Sequence, residues 1–180
     1  MATRPAIPFS IRRCEIDDAA TIAALGARLF TETYGPSHPE PELSRYLART
    51  FSVDLMRDAI ASDHAVMLLA EDADGAPIGY SFIHDSPTPP ACVVGERAVE
   101  IVRFYVDGTV QGRGIGAALM TRSLDDARSR GADVVWLQTW KEASWAVGFY
   151  TRMGFTIVGS APFYFGERVA EDHVLQIRVG

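Results

Sequence analysis

Two features of the chain have the residue types and spacing to do chemistry. One is the run Gln111-Gly112-Arg113-Gly114-Ile115-Gly116; the other is Glu100, which stands eleven residues before it in an apolar stretch. Glycines at alternate positions let a backbone take positive φ and let a ligand approach without meeting a Cβ. Gln111 and Arg113 add side-chain donors. If a helix starts directly afterwards, its unpaired amides and the positive end of its macrodipole favour a phosphate or pyrophosphate, so the guest implied is an anionic cofactor. A carboxylate set among apolar residues can have its pKa raised and can accept a proton directly or through water. The competing reading of Glu100 is a structural salt bridge with Arg103 as partner.

The flanking sequence supplies the elements to hold these groups. Ala98 to Val106 is dense in Val, Ile, Phe and Tyr and reads as a buried strand ended by Asp107-Gly108. From Ile115 the apolar positions Ala118, Leu119, Leu124 and Ala127 follow helical spacing, with Gly131 as the stop. Earlier in the chain, Phe9 to Cys14 reads as a strand. A helix capped by Asp17 or Asp18 then runs to about Tyr34, a second follows Pro41, and Ser52 caps a third. Ala65–Glu71 and Ala76–His84 form two strands joined by Asp-Ala-Asp-Gly. The Pro-rich stretch from Asp85 to Arg97 is loop and is expected to border a substrate site. Val134–Thr139 is a strand, Ala143 to Met153 a short helix ended by Gly154, and Phe155–Gly159 and His173–Val179 are strands separated by an aromatic loop, Pro162-Phe-Tyr-Phe-Gly.

At 180 residues the chain is expected to form one domain over residues 9–180 behind a loose lead-in, residues 1–8. A hydrophobic share of 48% with 22% charged residues is ordinary for a globular protein, and no apolar run approaches a membrane span. The first residues lack an apolar signal core, so a cytoplasmic location is expected. Cys14 and Cys92 are too few for a disulfide framework, and His38, His64, His84 and His173 are too scattered for a metal site. A net charge of -6 argues against nucleic acid as a partner and suits a cationic substrate.

Spacing separates the glycine loop from two better-known ones. Ala117 and Leu119 stand where a dinucleotide fingerprint needs its last glycine, and the chain's only lysine, Lys141, is not in a Gly-Lys-Ser/Thr loop. The whole run after Phe104-Tyr105-Val106 resembles the acetyl-CoA pyrophosphate loop of the GNAT superfamily of N-acetyltransferases, Gln/Arg-x-x-Gly-x-Gly/Ala. A second family motif, Trp-x-x-Asn-x-x-Ala-x-x-Phe-Tyr-x-x-x-Gly-Phe, is matched at Trp140, Ala146, Phe149, Tyr150, Gly154 and Phe155. Ala143 departs from it: the asparagine there commonly binds the pantetheine arm, a contact left to Ser144 or to backbone. Phe30-Thr-Glu-Thr-Tyr-Gly and Glu100-x-x-Arg-Phe-Tyr-Val also look like the branch with bacterial spermidine/spermine-type acetyltransferases.

The resemblance implies an α/β (α+β) fold, a single GNAT-like domain whose central mixed, mostly antiparallel sheet of about seven strands is flanked by helices. It implies direct transfer of an acetyl group from acetyl-CoA, as cosubstrate and without a metal, to a primary amine. Small amines or polyamines rank first as acceptor, and a homodimer is a further possibility. Phe104, Tyr105 and Val106 would line a gap where the central strand splays from its neighbour, their amides polarising the acetyl carbonyl. Tyr150 matches the tyrosine that donates to the coenzyme sulfur, which suits a phenol near pKa ~10 facing a thiol near ~8.5; the alternative is core packing. A base has work to do, because an alkyl amine of pKa ~10.4 is neutral in only about one molecule in 2500 at pH 7. Glu100 is the first candidate for it, with Glu32 and His84 behind. Trp136, Trp140 and Trp145 read as core, and Phe163, Tyr164 and Phe165 as a site wall or core. The reading from a different class is an acyl-CoA-binding sensor of the same fold without turnover, which Ala143 favours.

Overall fold

The structure is a computed structural model that describes residues 7–37, 40–165 and 168–180. Residues 1–6, most of the expected lead-in, and His38 lie outside the described residues. The elements follow the chain as β1 (Phe9–Arg13), α1 (Ala19–Tyr34), α2 (Glu42–Thr50), α3 (Val53–Ala61), β2 (Ala65–Asp72), β3 (Pro77–Asp85), β4 (Ala98–Val106), α4 (Ile115–Ser129), β5 (Val134–Trp140), α5 (Ser144–Arg152), β6 (Thr156–Phe165) and β7 (Arg168–Arg178). The strands form one seven-stranded sheet in the order β1-β2-β3-β4-β5-β7-β6. It is mixed: β4 and β5 are parallel, while the β1–β2, β5–β7 and β6–β7 pairs are antiparallel.

Contacts group the chain into two compact units, the first holding residues up to Phe82 together with Arg103–Leu119, the second Ile83–Val102 and Met120–Gly180. In the first, the apolar stripe of α1 buries Ile22, Leu25, Leu29 and Phe30. Phe30 packs on Tyr34, Tyr46 and Phe51 at ring distances of 5.0, 4.8 and 5.8 Å. Gly26 lets the helix come this close, since a Cβ there would stand 2.6 Å from the Phe51 ring and 2.7 Å from the Tyr80 hydroxyl. Ser52 caps α3 by accepting from the Leu55 amide, as its sequence position predicts. Asp18 does not cap α1. Its carboxylate turns back to the Glu15 amide and to Arg12.

In the second unit, Val134, Trp136, Val174 and Val93 form a core, with Cys92, Ala98, Val158 and Ala161 packed against it. Val93 belongs to the stretch between β3 and β4, so that Pro-rich segment is anchored on the sheet. The end of the sheet differs from the sequence expectation. The aromatic segment 162–165 is strand, with Phe163 opposite Ala170, Tyr164 opposite Val169 and Phe165 opposite Arg168. The two strands expected to end at Gly159 and to begin at His173 are longer, because Ala161 and Pro162 pair in register with Asp172 and Glu171.

Candidate functional site

In the first unit, Asp107 follows the last residue of β4, Val106, and its buried carboxylate shapes the turn. It accepts from the amide and hydroxyl of Thr109 at 2.9 and 2.6 Å and from Arg28 at 2.8 Å. Burial pushes its pKa up, and these hydrogen bonds and the guanidinium more than offset that, so the net shift is downward and the group is ionised. Gly112 and Gly114 then take φ of 78° and 90°. A Cβ on Gly114 would meet nothing within 4 Å, so this glycine serves a left-handed backbone beside open space. Gly116 departs from the expected pattern, lying inside the first turn of α4 rather than among the positive-φ residues.

Ile115, 1% exposed, packs with Ala70 and Ile78 and pins the start of α4. The first intrahelical bond runs from the Ala118 amide to the Gly114 carbonyl, so the amides of Ile115, Gly116 and Ala117 precede the helical ladder. This turn is therefore suited to an anion on two counts, amides ahead of the helical ladder and, at Gly114, an approach free of side chains. Arg113 stands between the two left-handed glycines. Gln111 turns the other way, its Nε2 donating to the Val106 carbonyl at 2.9 Å, so that donor ties the turn to the strand.

The side chains of Val106 and Tyr105, before the turn, pack within the first unit. Val106 packs into the Ala70, Ile78 and Ile115 cluster. Tyr105 stacks on Tyr80 at 5.8 Å, and burial raises its phenol well above the ordinary 10.0. Arg103, weighed above as a partner for Glu100, lies over the Phe51 ring at 5.3 Å. Glu32 pairs with Arg28 one turn away at 3.0 Å with a half-exposed side chain, the ordinary surface role of a helical glutamate.

In the second unit Glu100 meets a partner that sequence reasoning held as a separate candidate. Its Oε2 lies 3.3 Å from Nε2 of His84. The other imidazole nitrogen, Nδ1, faces the Asp85 carbonyl. With an acceptor at each nitrogen the protonated ring is favoured, and the His84 pKa is raised, first by Glu100 and against desolvation. Glu100 is also where the parallel ladder stops. Ala98, Val99 and Glu100 pair with Val134, Val135 and Trp136, while β4 continues to Val106 and β5 to Trp140.

Tyr150 is 9% exposed and sits with Phe149 at 5.4 Å and Phe155 at 5.9 Å between ring centroids. Ala143 is fully buried and its carbonyl accepts from the amides of Ala146 and Val147 at the start of α5. Ser144 is exposed. Of the aromatic residues, Trp136 is core as expected, but Trp145 is 56% exposed, as is Tyr164 at 65%, whereas Phe165 is buried. The stretch from Asp85 to Arg97 borders a cavity of about 300 Å³ together with Arg130 and Ala132, with Arg130 paired to Asp85 at 2.9 Å. Among the described residues no group of His, Cys, Asp or Glu is arranged to hold a metal ion, and no helix is long and apolar enough to cross a membrane.

Residues 27–155 match the Acetyltransferase (GNAT) family. The chain belongs to that family. It is an acyltransferase by descent, and the match spans the glycine turn, Glu100 and Tyr150 alike. An N-acetyltransferase of Mycobacterium tuberculosis is 27% identical over 158 residues, covering 88% of this chain and 96% of the relative. Mycothiol acetyltransferase of Clavibacter michiganensis is 34% identical over 142 residues, 77% of this chain but 40% of that longer protein. Among solved structures, the PaiA N-acetyltransferase of Thermoplasma acidophilum, in complex with coenzyme A, superposes with a TM-score of 0.76 at 18% identity over 96% of this chain and 99% of that one. YncA of Salmonella typhimurium, solved with its cofactor acetyl-CoA, gives 0.64 at 20% identity over 96% and 94%. These likenesses establish the fold.

Proposed function

We propose that the protein transfers an acetyl group from acetyl-CoA directly to the amino group of a small-molecule acceptor. The observation that carries this reading is the turn after β4. Two left-handed glycines deliver the chain to a helix start pinned by buried Ile115, with the amides of residues 115–117 ahead of the helical ladder. That arrangement fits a pyrophosphate, and the family match and the coenzyme-bound structural neighbours support acetyl-CoA as its source.

The roles then divide by unit. In the first, Gly112, Arg113, Gly114, Ile115 and Gly116 hold the pyrophosphate, Gln111 braces the turn, and the main chain of Phe104, Tyr105 and Val106 supplies amides to the acyl arm and carbonyl. In the second, Glu100 takes a proton from the acceptor ammonium, directly or through water, and His84 holds its carboxylate. The freed nitrogen bonds to the acyl carbon as the carbon–sulfur bond breaks, Tyr150 donates its hydroxyl proton to the departing thiolate, and the proton that the nitrogen sheds on becoming an amide returns through water to the tyrosinate. Ala143 removes one side-chain contact to the pantetheine and favours a second reading, an acyl-CoA sensor without turnover.

Release of free thiol from acetyl-CoA, measured against a panel of alkyl amines, aryl amines, amino acids and short peptides, tests both. Release with one class establishes the enzyme. Saturable acetyl-CoA binding with no release across the panel supports the sensor, and absence of binding overturns the assignment of the turn.

A further inference from the structure

Asp172 is a buried carboxylate with a vacant oxygen. It is 6% exposed, and its Oδ1 has no hydrogen-bond partner among the described residues. Its position in the sheet is defined by Trp140 opposite it on β5 and Ala161 opposite it on β6. Directly opposed residues share a face, and side chains on one strand alternate between faces, so Asp172 stands on the same face as Trp140, Gln138, Trp136 and Glu100. Gln138 Nε2 and Trp136 Nε1 are likewise buried without a partner among the described residues. Glu100, Trp136, Gln138 and Asp172 form a run of polar groups across three neighbouring strands, all within the second unit.

A buried polar atom left without a hydrogen bond costs stability, and a buried charge costs more, so such groups are kept where a ligand completes them. The nearby cation, Lys141, is held by Glu171, which also accepts from Ser160. We propose that Asp172 is a specificity residue that receives a second cationic group of the acceptor, which makes the preferred acceptors diamines or polyamines rather than monoamines. This rests on the acetyl-transfer reading and on Glu100 marking the reacting end. Desolvation raises the Asp172 pKa, against the opposing pull of His173 and Lys141, and an ammonium at Oδ1 would restore its ionised form. Asp172 lies two strands over and four residues along from Glu100. At ordinary sheet spacings that is roughly 16 Å between Cα atoms, so the longer diamines are favoured.

The experiment compares kcat/KM for linear diamines of increasing length with monoamines of equal length, in the parent and in Asp172→Asn. Expected is a preference for long diamines of about 10-fold or more in the parent, the size of one charge-assisted hydrogen bond, collapsing towards parity in Asp172→Asn. The melting temperature of the unliganded Asp172→Asn protein should hold or rise, since no native partner is lost. Equal use of diamines and monoamines by the parent, or a fall of several degrees in the variant's melting temperature, overturns the assignment and makes Asp172 structural. Failure of every amine to release thiol counts against acetyl transfer instead. Calorimetry of a long diamine with coenzyme A-loaded protein then decides the role of Asp172, which requires binding in the parent and its loss in Asp172→Asn.

Discussion

His84 and Glu100 face one another across β3 and β4, with Nε2 3.3 Å from Oε2. The pair ties the candidate base to a group that titrates near neutrality. The folded His84 pKa lies above its ordinary 6.5, so the stability it contributes is fully present below pH 6.5 and is lost as pH rises through the raised folded value. Melting temperatures of the parent and His84→Asn, taken across pH 5 to 9, should differ most at the acid end and converge at the alkaline end. A difference independent of pH would show that the imidazolium is not what Glu100 holds.

Glu100→Gln keeps shape and hydrogen bonding but removes proton acceptance. It should lower kcat about 100-fold or more while leaving acetyl-CoA binding near the parent value, as loss of a general base does. Tyr150→Phe keeps the packing against Phe149 and Phe155 and removes only the hydroxyl, so its kcat falls without a matching loss of stability. If both variants turn over at the parent rate, neither residue handles a proton.

Gly114 and Gly75 make a matched pair. Both have positive φ, 90° and 80°, and neither would place a Cβ within 4 Å of another atom. Alanine at either site should cost about 1 kcal/mol of stability through the left-handed backbone alone. Only Gly114→Ala should also weaken acetyl-CoA binding, read by calorimetry, because only there does the new methyl enter the path of the anion.

How much of this could be read in advance depended on whether the signal was local. The Ser52 cap, the glycine stops at Gly131 and Gly154 and the strand feeding the glycine turn are short-range matters of backbone conformation, and those elements formed where these residues predict, whereas the Asp18 cap gave way to its pairing with Arg12. The His84–Glu100 contact was not legible, since twelve residues between the strands leave their register open and either residue could have faced elsewhere. The full length of the β6–β7 pair was missed for a related reason: Pro162 and the unbroken aromatic run after it show no alternation, and only the cross-strand partners show them to be strand. Asp172 did leave a trace, a carboxylate in phase with Val174 beside a strongly apolar strand. Which face that phase would occupy depended on the sheet order.

Tyr80 supplies a test of the core of the first unit. Its ring is fully buried and its hydroxyl has no hydrogen-bond partner among the described residues. Tyr80→Phe should therefore be neutral or stabilising by about 1 kcal/mol in thermal or denaturant unfolding. Gly26→Ala, which drives a methyl at the Phe51 ring and that same hydroxyl, should destabilise by about 1–3 kcal/mol. Combining the two should recover part of the loss, since the hydroxyl is one of the atoms in the way.

Two of the chain's three indoles occupy opposite surroundings, Trp136 at 4% exposure on β5 and Trp145 at 56% on the helix that carries Tyr150, with Trp140 between these extremes. A water-soluble quencher such as acrylamide will reach the emission of the second and pass over that of the first. Light from Trp145 can report what happens around α5 in the intact protein, while quenching of Trp136 marks the moment the sheet opens. With Trp140 replaced by Phe, the two remaining indoles make separate optical probes, one for α5 and one for the integrity of the sheet, with no dye attached.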